Sequence, residues 1–123
     1  MTQTVMVVED NGFTRDGLAT LLRRSGFDVV TVENGLQALD RLDASPAPDV
    51  ILLDMLLPML DGWHFLDRLR KGRSSVPPVI VTTGTILTRE WAASHGCAGF
   101  LKKPVEEHEL LAELRRVLGE STT

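Results

Sequence analysis

The sequence predicts an α/β domain in which a parallel sheet is covered by helices on both faces. Five short apolar runs rich in β-branched residues recur at Val5–Val8, Val29–Val32, Val50–Leu53, Val79–Thr82 and Gly99–Lys102, with starts 20 to 29 residues apart. The runs are apolar on successive positions, as in strands buried on both faces. Each gap has room for one helix, and the gaps carry the longer helical period.

Phe13, Gly17, Leu18, Leu21 and Leu22 trace one face of a first helix, with Arg15, Asp16, Arg23 and Arg24 largely off it. Leu36, Leu39 and Leu42 do the same for a second, which stops before Pro46 and Pro48. Trp63, Phe65, Leu66 and Leu69 supply a third, ended by Gly72. The fourth is short: Thr88 caps a stretch through Ser94, and Gly96 ends it. In the fifth, Leu110, Leu111, Leu114, Val117 and Leu118 form a stripe. Acids at Glu106, Glu107 and Glu109 precede it, and Arg115 and Arg116 close it, as the helix dipole prefers. Right-handed crossovers leave few topologies, and the reading adopted is a flavodoxin-like, doubly wound five-stranded sheet of order 2-1-3-4-5 with five helices.

The chain has 123 residues, 43% hydrophobic and 24% charged, so one domain is expected, spanning 1–119 with a disordered tail at 120–123. One cysteine, Cys97, excludes a disulfide framework and suits a reducing, cytoplasmic setting. A net charge of −4 with scattered basic groups argues against direct nucleic-acid binding. No apolar stretch approaches the roughly 20 residues that cross a membrane.

Ligands of open α/β sheets bind beyond the carboxyl ends of the strands, so the polar residues there matter most. The first strand ends in Glu9 and Asp10, the third in Asp54, the fourth in Thr82 and Thr83, and the fifth in Lys102, Lys103 and Pro104. In the order 2-1-3-4-5 these four strands are neighbours, so three carboxylates, a hydroxyl and an ammonium should share one rim. Crowded carboxylates repel, and a hard cation such as Mg²⁺ (or Mn²⁺) relieves them while leaving room for phosphate. Asp54, on the central strand, is placed to attack phosphorus, with Lys103 and the Thr83 hydroxyl to meet phosphate oxygens. Alternation along the strand lets only one of Thr82 and Thr83 face the rim, and Thr83 is the choice.

Four segments carry a family resemblance: Val5 to Asn11 (VMVVEDN), Asp54 to Gly62 (DMLLPMLDG), Pro78 to Gly84 (PVIVTTG) and Phe100 to Pro104 (FLKKP). Together they resemble the receiver domains of two-component response regulators over essentially the whole chain. The resemblance implies that Glu9 and Asp10 are the acidic metal pair and Asp54 the phosphoacceptor, with the Leu56 carbonyl completing the metal ligands. It makes Thr83 the switch hydroxyl, Lys103 the lysine before proline and Phe100 the aromatic switch residue. The implied partner is a histidine kinase or histidine phosphotransfer protein. The implied output face is the fourth helix, fifth strand and fifth helix, with a homodimer possible. The chain would be a phosphoacceptor regulator and no enzyme beyond its own phosphotransfer and slow self-dephosphorylation. That slowness is expected because Leu56 and Thr85 stand where charged or amide side chains would position water. The segment from Thr83 to Lys103 is also short, which affects the fourth helix.

Blander readings exist for each residue. Asp54 alone is an ordinary strand-end acid, Glu9 and Asp10 a solvated turn, Lys103 a surface lysine, and Phe100 packing. Asp61-Gly62 reads as turn chemistry and a helix start. His64, His95 and His108 have no metal-ligand spacing, and Cys97 reads as structural. A phosphohydrolase with an aspartyl nucleophile would need an acid where Leu56 stands. A flavin-binding protein would need a phosphate loop where Glu9 and Asp10 stand. The remaining alternative is a receiver-like interaction module that works without phosphorylation.

Overall fold

The computed structural model describes residues 2–44, 46–56, 61–73, 75–84 and 87–119. The elements run β1 (Thr4–Val8), α1 (Gly12–Arg24), β2 (Asp28–Val32), α2 (Gly35–Ala44), β3 (Val50–Asp54), α3 (Gly62–Arg70), β4 (Val79–Thr83), α4 (Arg89–Ser94), β5 (Gly99–Lys102) and α5 (Glu107–Leu118). All strand pairs are parallel, and the sheet order is β2-β1-β3-β4-β5, as the sequence predicts. The expected tail at 120–123, together with Leu57, Pro58 and Thr85, lies outside the described residues.

Alternation along each strand divides the core in two. Met6, Val8, Ile51, Leu53 and Val81 pack with Leu39, Phe65, Leu69 and Ala92 on the α2–α4 side. Val5, Val7, Leu52 and Ile80 pack with Leu22, Leu110 and Leu114 on the α1–α5 side. Each buried Leu or Phe contributes roughly 1.5–3 kcal/mol against exposure, so both layers are needed to hold the strand ends in register.

The starts of α1, α3 and α4 are set by short polar side chains. Asn11 accepts the Thr14 amide (2.9 Å), Asp61 that of His64 (2.9 Å), and Thr88 that of Trp91 (3.1 Å). The Asp61 carboxyl is held below its usual value chiefly by the His64 amide, so it is an ionised cap as well as a turn residue. The short α4 ends where Gly96 takes φ +75°, the left-handed region that glycine tolerates. Close approach explains Gly62, where a Cβ would lie 2.5 Å from the Met55 sulfur and 2.8 Å from its Cα.

Two expected packing residues behave otherwise. Phe13 is 91% exposed, because it stands on the first turn of α1, where the core side is formed by Ala19 and Leu22 further along. Trp63 is 41% exposed and meets Trp91 of α4 edge-on, ring centres 5.9 Å apart, instead of entering the core.

Candidate functional site

The sheet ladder continues one residue beyond β1, β3 and β5, which fixes the backbone that carries the polar groups. The Glu9 amide donates to Val32 (3.2 Å), the Met55 amide to Thr82 (3.2 Å), and the Lys103 amide to the Thr83 carbonyl (2.8 Å). Glu9, Asp54 and Lys103 have the strand parity of the α1–α5 side, and their side chains converge.

Carboxylate oxygens of Glu9, Asp10 and Asp54 lie within 4.8 Å of one another. Glu9 and Asp54 are buried and Asp10 is exposed. Lys103 Nζ stands 2.8 Å from Glu9 Oε1 and 3.3 Å from Asp54 Oδ2. Asp54 Oδ1 accepts the Leu56 amide at 3.1 Å, and Glu9 Oε2 the Asn11 amide at 3.2 Å.

Burial pushes the Glu9 carboxyl above its usual value. The Lys103 and Asn11 hydrogen bonds pull it down, but with the Asp54 charge beside it they do not prevail. Burial alone would lower Lys103, yet its contacts with Glu9 and Asp54 raise it. The lysine gains from two acids, whereas each acid shares one lysine. Three carboxylates against one ammonium leave negative charge in excess, at a half-buried spot lined by oxygen donors. That donor set fits a hard divalent cation.

Thr83 and Phe100 stand apart from this convergence. Thr82 shares the parity of Ile80 on the α1–α5 side, and its hydroxyl donates to the Leu53 carbonyl at 3.4 Å. It also lines, with Lys103, an apolar groove formed by Phe13, Leu18, Leu21, Pro104 and Val105. Thr83 shares the parity of Val79 and Val81, the face on which half-buried Phe100 packs. Its carbonyl is tied to Lys103, so Thr83 links the ammonium's backbone to the α4 side of the sheet.

The sequence reading missed two groups. Arg15 lies largely off the apolar face of α1 by its spacing, yet its side chain turns back to the Glu9–Asp10 turn. Glu113, between Leu110 and Leu114, is buried against β5 and receives Phe100 N–H (2.8 Å), Arg89 (2.9 Å) and Arg116 (3.0 Å). For Glu113 the available signal was an acid inside an apolar stripe with arginines at positions 89 and 116.

Residues 5–115 match the response regulator receiver domain family. The chain belongs to that family. Among similar proteins, the sensory transduction protein RegX3 of Mycobacterium tuberculosis is 37% identical over 116 residues, 94% of this chain and 50% of RegX3. The response regulator MprA of Mycolicibacterium vanbaalenii is 33% identical over 119 residues, 96% of this chain and 51% of MprA. This receiver domain thus spans about half the length of the curated relatives it matches. Its structure is similar to the receiver domain of sensor histidine kinase PA1611 from Pseudomonas aeruginosa, which has a magnesium ion coordinated in the active site cleft. That similarity has TM-score 0.84 and 31% identity, over 98% of this chain and 100% of that one. A second similar structure is the chemotaxis response regulator CheY4 of Vibrio cholerae, with TM-score 0.84 and 26% identity over 95% and 99% of the two chains. Receiver domains serve phosphorylation-based two-component signalling and are regulatory modules that generally bind Mg²⁺. Among the described residues of this one, no helix is long and apolar enough to cross a membrane.

Proposed function

We propose that this receiver domain, spanning residues 1–119, is a cytoplasmic phosphorylation switch. Asp54 takes its phosphoryl group from a histidine kinase or histidine phosphotransfer protein. The observation that carries the reading is the convergence of Glu9, Asp10 and Asp54 within 4.8 Å, with Lys103 Nζ 3.3 Å from the central acid. Glu9, Asp10, Asp54 and the Leu56 carbonyl would hold Mg²⁺ (or Mn²⁺), which supplies charge neutralisation for phosphoryl oxygens when bound.

In the transfer, an Asp54 carboxylate oxygen attacks phosphorus in line and forms a P–O bond as the donor's P–N bond breaks. The freed imidazole keeps the bonding electron pair and is protonated. Lys103 offsets the charge on a phosphoryl oxygen, and the Leu56 amide, already 3.1 Å from Asp54 Oδ1, orients the nucleophile. The Thr83 hydroxyl then moves to the phosphate, and Phe100 follows on the same face of the sheet. Output passes through the surface of α4, β5 and α5 to a downstream protein or a second copy. The aspartyl phosphate is long-lived, because Leu56 and Thr85 cannot activate water.

Intact mass after incubation with acetyl phosphate and Mg²⁺ tests the acceptor. One added phosphoryl group is expected, lost in Asp54→Asn and in chelator. Acceptance by Asp54→Asn at the normal rate would sink the assignment. No addition to the native chain would favour a phosphorylation-independent interaction module. Thr83→Ala is expected to keep the added mass while losing the phosphorylation-dependent change in partner affinity. If that change persists, another residue is the switch.

A further inference from the structure

Arg15 makes contacts that its place on α1 does not require. It lies on the first turn, and its side chain runs back toward the helix start, as helical side chains do. There Nη1 donates to the Glu9 carbonyl (3.0 Å) and the Asp10 carbonyl (3.4 Å), while Nη2 lies 3.6 Å from Glu33 Oε1. The Arg15 side chain is only 17% exposed, which is unusual for an arginine this near a helix end.

Both carbonyls lie past the last register pair of β1 and β2, Val8 with Val32. The turn that carries the acidic pair is therefore outside the regular ladder on its carbonyl side. Arg15 fills that role, and Glu33, just after β2, anchors Arg15 in turn. A guanidinium suits the task, since its planar fork presents several donors in fixed directions.

We propose that Arg15 is a positioning residue for the cation site: it holds the Glu9–Asp10 main chain so that both carboxylates face Asp54. The inference rests on reading Glu9, Asp10 and Asp54 as that site. A positive charge beside a cation site has an opposite tendency, to repel the metal. Glu33 offsets the charge, and the guanidinium addresses main-chain oxygens instead of the carboxylates of Glu9 and Asp10. Positioning therefore dominates, and removing Arg15 weakens binding where simple repulsion would have strengthened it.

Mn²⁺ binding to the full chain, followed by the electron paramagnetic resonance of free Mn²⁺, separates these outcomes. Arg15→Gln is expected to bind roughly ten-fold more weakly, the lower end of what outer partners of metal ligands cost. Arg15→Lys, with the charge but no fork, should fall between. Phosphoryl acceptance from acetyl phosphate should return to the native rate at saturating Mn²⁺, a recovery that a general folding defect would not allow. Arg15→Gln binding Mn²⁺ as tightly as the native chain, or more tightly, overturns the inference. If Arg15→Gln does not fold, Arg15→Lys decides, and unchanged affinity in it overturns the inference. A native chain that binds no Mn²⁺ removes the cation-site reading and the inference with it, whereas native binding with unaltered variants removes only the inference.

Discussion

Among the described residues two glutamates are buried, and they are treated in opposite ways. Glu113 on α5 is met by two arginines and a main-chain amide. Burial works against its charge, but the Arg116, Phe100 and Arg89 hydrogen bonds outweigh it and hold the carboxyl below its usual range. Glu9 at the end of β1 has one lysine, shared with Asp54, and its carboxyl is pushed up. A carboxylate with donors to spare is a structural fastening. One left short of positive charge beside other acids is a place waiting for a cation.

The largest expected effect is on the satisfied side. Glu113→Gln should lower the stability to urea unfolding by about 1–3 kcal/mol. It strips the ionic hydrogen bonds and weakens the partner of the half-buried Phe100 N–H. Gly99→Ala attacks the same fastening from β5, since a Cβ there would lie 2.9 Å from Glu113 Oε2 and 3.0 Å from Ile80 Cγ1. It should cost about 1–3 kcal/mol, and the pair in one chain should cost less than the sum, because they share a contact. Strict additivity would show that Gly99 serves only its packing against Ile80.

The smaller effect is on the unsatisfied side and has the opposite sign. Glu9→Gln should leave stability at neutral pH in chelator unchanged or raise it by up to about 1 kcal/mol, while weakening Mn²⁺ binding. The pH dependence sharpens the contrast. With its folded pKa raised, Glu9 contributes stability that is fully present below its ordinary value of 4.5 and is lost as pH climbs through the raised value. With its folded pKa lowered, Glu113 contributes stability fully present above 4.5, and lost as pH falls through the lowered value. In chelator, then, the gain from Glu9→Gln should appear only as pH climbs above the ordinary Glu9 value of 4.5, and the loss from Glu113→Gln should shrink as pH falls below that same ordinary value. Urea titrations at several pH values measure both. A Glu9→Gln chain that is less stable than native at pH 7 would mean that the Lys103 ion pair outweighs the crowding.

Much of this was legible in the residues. Strand runs, the Thr88 cap and the Gly96 stop depend on neighbours in sequence, and each stands where periodicity and cap chemistry predict. The strand-end acids were legible because topology brings strand ends together, and Lys103 was singled out from Lys102 mainly by the proline that follows it. What escaped needed distances across the fold. Phe13 fits the apolar spacing of α1, but spacing does not say that its turn projects past the packed layer. Arg15 and Glu113 escaped because their main-chain partners are 5–6 and 13 positions away, and because Arg89 reaches Glu113 from another element. Thr82 and Thr83 are separated by strand parity, which the sequence gives only once the faces are known.

The fastening at Glu113 has one more consequence, for the margin of the sheet. β5 is an edge strand, and such edges invite a foreign strand to add by main-chain pairing. Here the Phe100 amide is occupied by Glu113, the Phe100 carbonyl by Arg89 (3.2 Å) and the Ala98 carbonyl by Arg116 (2.8 Å). An intruding strand would have to displace ionic contacts to reach groups that are already bonded. Side chains thus occupy this flank at Ala98 and Phe100, and that hindrance to a foreign strand depends on three charged residues staying in place.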